Sequence, residues 1–452
     1  MSKITDGYLY HVDDKPPVGK SLILGFQHVL ALLAGLLSVP ITFCASLAAM
    51  GYTVEATYMI QCSLFASGIT TIVQCLGIGK VGAKLPISMG VDFTFIVPGV
   101  AMAAKFGMAS LMTAFIIGGL AEALVGSFLF KKLKKIFPPI VTGCVILTCG
   151  ICLLATTVIY CGGGYGVMGT EEFGSLKYIL VAAFTLVVIL VFNRVFKGFA
   201  SAASIFIGMV VGYVLCIFLG WVDFSSLADY GWFSIPLPLQ YGLEFNPTVI
   251  LSVLVLYLVA ISEFIGISST TAFVSTGRDA TEEEIRSGMI CDGCGSAFSS
   301  LFNALPNTSY CNSLGVIAVT GVASRYVIAI AGAMLVVISF FPKVSAVINL
   351  IPYPVLGAVM LVIVGGVITS GIETLHSVKF TQRNLAIIGI TLAVGVGFGL
   401  NSTALSGMPF LLQTLLSGIP GAAIVGLVLN LVCPRRPEDR ISDENAAAET
   451  SA

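Results

Sequence analysis

Four carboxylates stand in stretches that are otherwise almost wholly apolar: Asp92, Glu122, Glu263 and Asp292. Glu263 lies in Leu258-Val-Ala-Ile-Ser-Glu-Phe-Ile-Gly266, and no other charged residue occurs between Glu244 and Arg278. A carboxylate so placed needs a donor ligand, a cation or its own proton, and each is a way to couple the movement of a solute to an ion. His28 is the one histidine inside an apolar stretch. Buried imidazoles are commonly just hydrogen-bonded to a neighbour, so a packing role and a proton-carrying role both fit it. Asp92 falls in a stretch rich in Pro, Gly and β-branched residues, whereas Asp292 opens its stretch and fits either an interfacial cap or a functional acid. Glu122, in Gly118-Gly-Leu-Ala-Glu122, has no motif support and reads as a helix-packing residue. Two other patterns carry little. Cys291-Asp-Gly-Cys294 lacks a second ligand pair, so no metal is implied. Gly77-Ile-Gly79-Lys-Val-Gly82 lacks the strand and helix that a dinucleotide fingerprint requires, and reads as a turn.

The elements that position these groups must be membrane helices. The chain has 452 residues, 57% hydrophobic and 10% charged, against roughly 25% charged in soluble domains. That composition excludes a soluble enzyme, a disordered protein and a secreted disulfide scaffold. The first 20 residues, with Asp13, Asp14, Lys15 and Lys20, do not read as a cleavable signal.

Apolar runs mark fourteen segments, near 21–39, 57–75, 85–104, 107–129, 137–159, 177–195, 199–221, 248–274, 286–302, 306–323, 325–342, 351–372, 383–401 and 407–433. An even count places both termini on one side. With that side cytoplasmic, 19 of the 22 Lys and Arg fall inside, and only Lys105, Lys177 and Lys343 fall outside. The long outer loop 222–247 has no Lys or Arg, and the tail 434–452 is too short for a folded domain.

Segments 3 and 10 are poor continuous helices. The third reads Leu85-Pro-Ile-Ser-Met-Gly-Val-Asp-Phe-Thr-Phe-Ile-Val-Pro98, and the tenth begins with the polar run Pro306-Asn-Thr-Ser-Tyr-Cys-Asn-Ser313. Broken backbone survives at membrane depth only where it is buried or lines a cavity. Each is third in a set of seven, which predicts two inverted repeats, 1–7 and 8–14, with a binding site between the broken segments. Short extended stretches are expected at Asp92–Phe95 and Ser309–Asn312, facing each other beneath half-helices.

These residues resemble a known family. The run Phe302-Asn-Ala-Leu-Pro306-Asn-Thr308-Ser-Tyr310-Cys-Asn312-Ser313-Leu-Gly315, continuing to Thr320 and Arg325, is similar to the signature of the nucleobase–ascorbate transporters, which include xanthine, urate and uracil permeases. Gln27-His28, Glu263-Phe-Ile-Gly266 and Asp292-Gly-Cys-Gly295 resemble three further motifs of that family, in the right order. The resemblance implies an all-α protein of fourteen spans in two inverted repeats. It implies a core domain (21–129 and 248–342) and a gate domain (137–221 and 351–433), between a cytoplasmic N-terminus (1–20) and tail (434–452). It also implies a homodimer in the bacterial cytoplasmic membrane that imports a nucleobase by proton symport with elevator-like alternating access. No cofactor and no nucleic acid is implied, and sodium in place of the proton is left open.

Carried onto this chain, Glu263 would bind the polar edge of the base, with Asn312, Ser313 and Asp92 nearby and Phe93 and Tyr310 flanking the ring. Glu263, His28 and Asp292 would handle the proton. Asn312 and Ser313 stand where the family has Gln or Glu followed by Asn, and Ile267 stands where a charged group or imidazole is common. The Gly-Val-Ala-Ser-Arg325 run is similar to purine-type members such as xanthine or uric acid carriers, and Pro306-Asn-Thr-Ser-Tyr310 also to uracil-type ones. A uracil permease, or an anion transporter of the same architecture, is the competing reading.

The charge asymmetry places loop 222–247 outside. A cysteine put at position 230 is expected to react with an impermeant thiol reagent in intact cells, above the wild-type background. Reaction only after membrane disruption would refute the fourteen-span order.

Overall fold

The computed structural model describes residues 8–126, 128, 138–310 and 312–434; the side chain of Asn312 lies outside the description, as do Lys131 to Lys135. By contacts the chain forms two units, Met1–Phe130 with Thr156–Ile363, and Lys131–Ala155 with Val364–Ala452.

The first unit begins with residues 8–14, which run beside the 321–325 turn. Leu9 N–H donates to the Gly321 carbonyl and Ala323 N–H to that of Tyr10, both at 2.8 Å, and Arg325 pairs with Asp13 at 2.8 Å. Helix α1 (Val18–Ala49) follows Pro16-Pro17 and runs 32 residues, about 48 Å at 1.5 Å per residue. Helix α2 (Ala56–Leu76) ends at Gly77, whose φ of 75° suits glycine. Strand β1 (Ser88–Val91) leads through a 3₁₀ turn at Phe93–Phe95 into helix α3 (Ile96–Ala121), interrupted at Gly107 (φ 83°) and closed by a π-turn at Glu122–Gly126. Helices α4 (Pro139–Cys161), α5 (Leu176–Arg194) and α6 (Ser204–Phe218) follow. Helix α7 (Pro247–Thr276) has a strong start, Asn246 accepting from the N–H groups of Thr248 and Val249 with Pro247 next. Helix α8 (Glu282–Leu301) opens with a capping box between Thr281 and Glu284. Strand β2 (Asn307–Tyr310), helix α9 (Asn312–Thr320), α10 (Arg325–Ser339), α11 (Pro342–Asn349) and α12 (Tyr353–His376) complete the order up to the second unit.

Both broken segments are a strand followed by a half-helix. The strands pair antiparallel, Ser88 opposite Tyr310, Met89 opposite Ser309, Gly90 opposite Thr308 and Val91 opposite Asn307. The extended stretches therefore lie earlier than expected: Asp92 follows β1 and caps the next turn, and Asn312 already begins α9. The ladder forms where every residue is buried on both faces, which Ser88 to Val91 and Asn307 to Tyr310 satisfy.

The second unit holds α4 up to Ala155, α12 from Val364 onward, α13 (Gln382–Leu400), α14 (Phe410–Leu416) and α15 (Gly418–Val432). Cys144, Leu147 and Leu375 form its buried cluster, with Ile368, Ile388 and Leu392 against it.

Among the described residues eight helices are long and apolar enough to cross a membrane, or ten if the bent pairs α10–α11 and α14–α15 each count as one span. The chain is thus a helical, multi-pass membrane protein. The shortfall against fourteen has local causes. Segments 3 and 4 merge as Phe93–Gly126, and Ser204–Phe218 is apolar but short. Helix α8 is rich in Ser, Gly and acids, and the tenth segment is half strand.

The loop before α7 is tied down by side chains. Tyr58 donates to the Leu237 carbonyl at 2.8 Å, Gln61 reaches Ser234, and Asn303 accepts from Gln240 N–H. Helices α2 and α10 meet through glycines, where a Cβ at Gly332 would stand 2.8 Å from the Gly68 carbonyl oxygen. Gly332→Val is expected to cost about 1–3 kcal/mol by overpacking, read as a lowered Tm of the purified protein. An unchanged Tm would show that this crossing can open.

Candidate substrate site at the paired strands

The site is assembled from the strand pair outward. Each strand needs partners for its outer edge, and neighbouring helices supply them. Thr71 of α2 accepts from Met89 N–H at 2.9 Å. On β2, Ser296 of α8 donates to the Asn307 carbonyl, and just before it Ser299 donates to that of Leu305 at 2.6 Å. The Asn307 side chain accepts from Ser67 and donates to Thr70, both at 3.2 Å. Asp92 N–H donates to the Pro306 carbonyl at 2.9 Å, extending the pairing by one step.

Tyr310 is held firmly. Its hydroxyl donates to the Val91 carbonyl at 2.6 Å. Its ring fills the space beside two glycines: a Cβ at Gly90 would stand 2.6 Å from it and one at Gly35 of α1 3.0 Å. Ser313, at the start of α9, donates to Ser88 across the pair at 2.8 Å. Asp92 is buried and accepts from Thr94 N–H at 2.9 Å through Oδ1, while Oδ2 has no hydrogen-bond partner. Phe93, next in sequence, is half-buried.

Helix α7, which carries Glu263, packs against β2 and against the Phe93–Phe95 turn. Asp292 on α8 is fully buried and accepts a long 3.5 Å bond from Thr308 of β2. The structure therefore gathers Asp92, Phe93, Glu263, Asp292, Tyr310 and Ser313 about one strand pair. Asn312 joins them by sequence position only. His28 stands on α1 two turns before Gly35, on the same face and about 10 Å away along the axis. It is buried, with Nδ1 unpartnered.

Sequence reasoning passed over Asn307, Thr71 and Thr94. A signal existed for the first two. Ser63, Ser67, Thr70, Thr71 and Gln74 line one face of apolar α2 at helical spacing, and all are buried. A buried polar stripe on a membrane helix demands polar partners, and here those partners are the strands. Ile267 lies one turn beyond Glu263 and is half-buried.

A separate open groove of about 260 Å³ is lined by Ala121, Glu122, Val125, Leu251, Leu254, Val255, Tyr257, Leu258 and Ile261. It is almost wholly apolar and includes none of the strand residues.

Thr71→Val would leave the buried Met89 N–H unpaired, at a cost of about 1–3 kcal/mol. A lower Tm is expected for Thr71→Val and a near wild-type one for Thr71→Ser, which keeps the hydroxyl. Equal melting of both variants would remove Thr71 from the ladder.

Comparison with known proteins bears on the family and the fold. A family model described as "Permease family" matches residues 19–401. CPE0397 of Clostridium perfringens, provisionally assigned as a purine permease, is 38% identical over 431 residues, covering 95% of this chain and 94% of its own. The uric acid transporter UacT of Escherichia coli is 34% identical, over 91% of this chain and 86% of its own. The xanthine permease XanP of Escherichia coli is 32% identical, over 94% of each. Among solved structures, the transmembrane domain of a cyanobacterial bicarbonate transporter, BicA, aligns with TM-score 0.60 at 16% identity, over 86% of this chain and 98% of its own. The murine anion transporter Slc26a9 aligns with TM-score 0.63 at 11% identity, over 93% and 69%. At such identities these two establish a shared fold alone. The sequence matches decide the family: this chain is a permease, not an enzyme, and belongs to the family of the nucleobase–ascorbate transporters that its motifs resemble.

Proposed function

We propose that this permease imports a nucleobase, a purine such as xanthine or uric acid, by proton symport. The observation that carries this reading is the placement of Glu263, on a helix that packs against β2 and the Phe93–Phe95 turn, beside the strand pair that ends at Tyr310 and is flanked by Asp92 and Ser313. A planar base offers donors and acceptors along its edge and π faces above and below. Glu263 takes the edge, with Asn312 as its second contact, and Phe93 and Tyr310 flank the ring. The half-helices α3 and α9 begin at the ends of the two strands, so their positive dipole ends face the same place. The names of UacT and XanP support a purine. Uracil is the second reading, on the Pro306-Asn-Thr-Ser-Tyr310 run. An anion carrier fits the shared fold but sits poorly with Glu263 in the site.

In this reading fourteen segments cross the bacterial cytoplasmic membrane with both termini inside. Two copies associate, and the core parts 21–129 and 248–342 carry the base past the gate parts 137–221 and 351–433 in an elevator-like motion. Glu263 both binds substrate and ties its charge state to transport, with His28 and Asp292 as partners in proton handling.

Glu263→Gln keeps the shape and both hydrogen-bonding ends but cannot titrate. It is expected to bind xanthine measurably and to lose pH-dependent, concentrative uptake. Glu263→Ala should lose about 1.5–3 kcal/mol of binding, roughly tenfold to a hundredfold in affinity. Labelled xanthine uptake in a transport-null host, with urate and uracil as competitors, reads all of this. Accumulation by Glu263→Gln with the wild-type pH profile would move the coupling role elsewhere. Wild-type uptake of none of the three bases would refute the function.

A further inference from the structure

We propose that Glu122 and Asp292 form a carboxyl–carboxylate pair sharing one proton, a proton-binding site separate from Glu263. By sequence Glu122 reads as a helix-packing residue, and the fold does set it at a helix crossing, opposite a second acid. Helices α3 and α8 cross with their backbones in contact. A Cβ at Gly119 would stand 2.6 Å from the Gly293 carbonyl oxygen, and one at Gly293 would stand 2.4 Å from Ala123 N. Glu122 lies three residues past Gly119 and Asp292 one before Gly293, so the crossing sets the two carboxyl groups side by side, where their side chains interact directly. Glu122 is 1% exposed and Asp292 0%. Neither Glu122 oxygen has a hydrogen-bond partner, and neither does Asp292 Oδ1.

Two adjacent carboxylates with three unpartnered oxygens between them repel strongly in a medium of low dielectric constant. One proton resolves both problems. It cancels one charge and supplies the missing donor, giving a short, charge-assisted O–H···O⁻ bond. Among the described residues the titratable groups that act on the pair bring no cation. Asp92 beyond β1 and Glu263 on α7 are acids, Cys291 and Cys294 on α8 are thiols, and Tyr257 on α7 is a phenol. Tyr257 already donates to the Phe115 carbonyl at 2.9 Å.

The backbone has a matching irregularity. Glu122 begins the π-turn Glu122–Gly126, and such turns recur at functional sites. Asp292 in turn accepts from Thr308 of β2, so the shared proton fastens the end of α3 to α8 and to the strand pair. A coupling role for this proton rests on the symport reading above; the presence of the proton does not.

The test is infrared spectroscopy of the full-length protein in lipid at neutral pH without substrate, following the carbonyl stretch of protonated carboxyl groups by its shift in D₂O. The double variant E122Q/D292N is expected to lose the intensity of one carboxyl. Loss of none, or of two, would overturn the shared proton. Should the double variant fail to fold, Glu122→Gln alone is expected to lose or shift that band, and a wild-type spectrum would overturn the proposal. Sodium chloride that alters the wild-type band but not that of the double variant would assign the pair to a metal cation instead. Because no nucleobase is present, a failure of the transport reading leaves this result standing, and the reverse holds as well.

Discussion

A strand cannot satisfy its own backbone, and at membrane depth there is no water to do it. That constraint organises the first unit. The two four-residue strands satisfy one edge through each other. The outer edges fall to Thr71 on one side and to Ser296 and Ser299 on the other. Helices α2 and α8 must therefore carry hydroxyls and amides on their inner faces. Close approach then requires small residues, as at Gly295, where a Cβ would stand 2.3 Å from Thr70.

Polar helices of this kind need shielding from lipid, and the burial pattern follows. The most apolar stretch of α2 is 72% buried and that of α1 94% buried, against 22% for α5 and 17% for α13. The last two are apolar all round, as suits helices whose surroundings are hydrocarbon. Hydropathy does not track this burial, since the buried α1 has a mean hydropathy of 2.1 and the exposed α13 one of 1.6. Helix α8 is long enough to span, yet its acids, serines and glycines remove it from an apolar count.

The Pro and Gly content of segment 3 and the polar opening of segment 10 were enough to mark both as broken. The strands still start several residues earlier than the sequence suggested. Ser88-Met-Gly-Val91 is a short apolar run, and periodicity cannot tell such a run in a strand from one in a helix. Glu263 and Asp292 were readable because an acid in an apolar stretch is conspicuous by itself. The meaning of Glu122 was not readable, since its partner is 170 positions away in the chain. Only the glycine crossing of α3 and α8 brings the two together. The stripe from Ser63 to Gln74 was legible in principle, because five polar residues on one face of an apolar helix demand partners.

The same constraint bears on how the site can move. Tyr310 has its hydroxyl committed to Val91 and its ring wedged beside Gly35 and Gly90. It is a fixed wall, and rotating it away would orphan a buried carbonyl. Ser313 is tied to Ser88, and Asp92 to Thr94. Each link joins one broken segment to the other or to its own half-helix, so separating the strands would break several buried hydrogen bonds at once. A net cost of about 0.5–1.5 kcal/mol each, before any orphaned group is counted, makes such a separation an expensive step to repeat in every cycle. Carrying the strand pair as one body keeps every bond intact. The backbone accounting that allows strands at this depth thus favours a mechanism in which the whole binding site travels with its helices, as the proposed elevator motion requires.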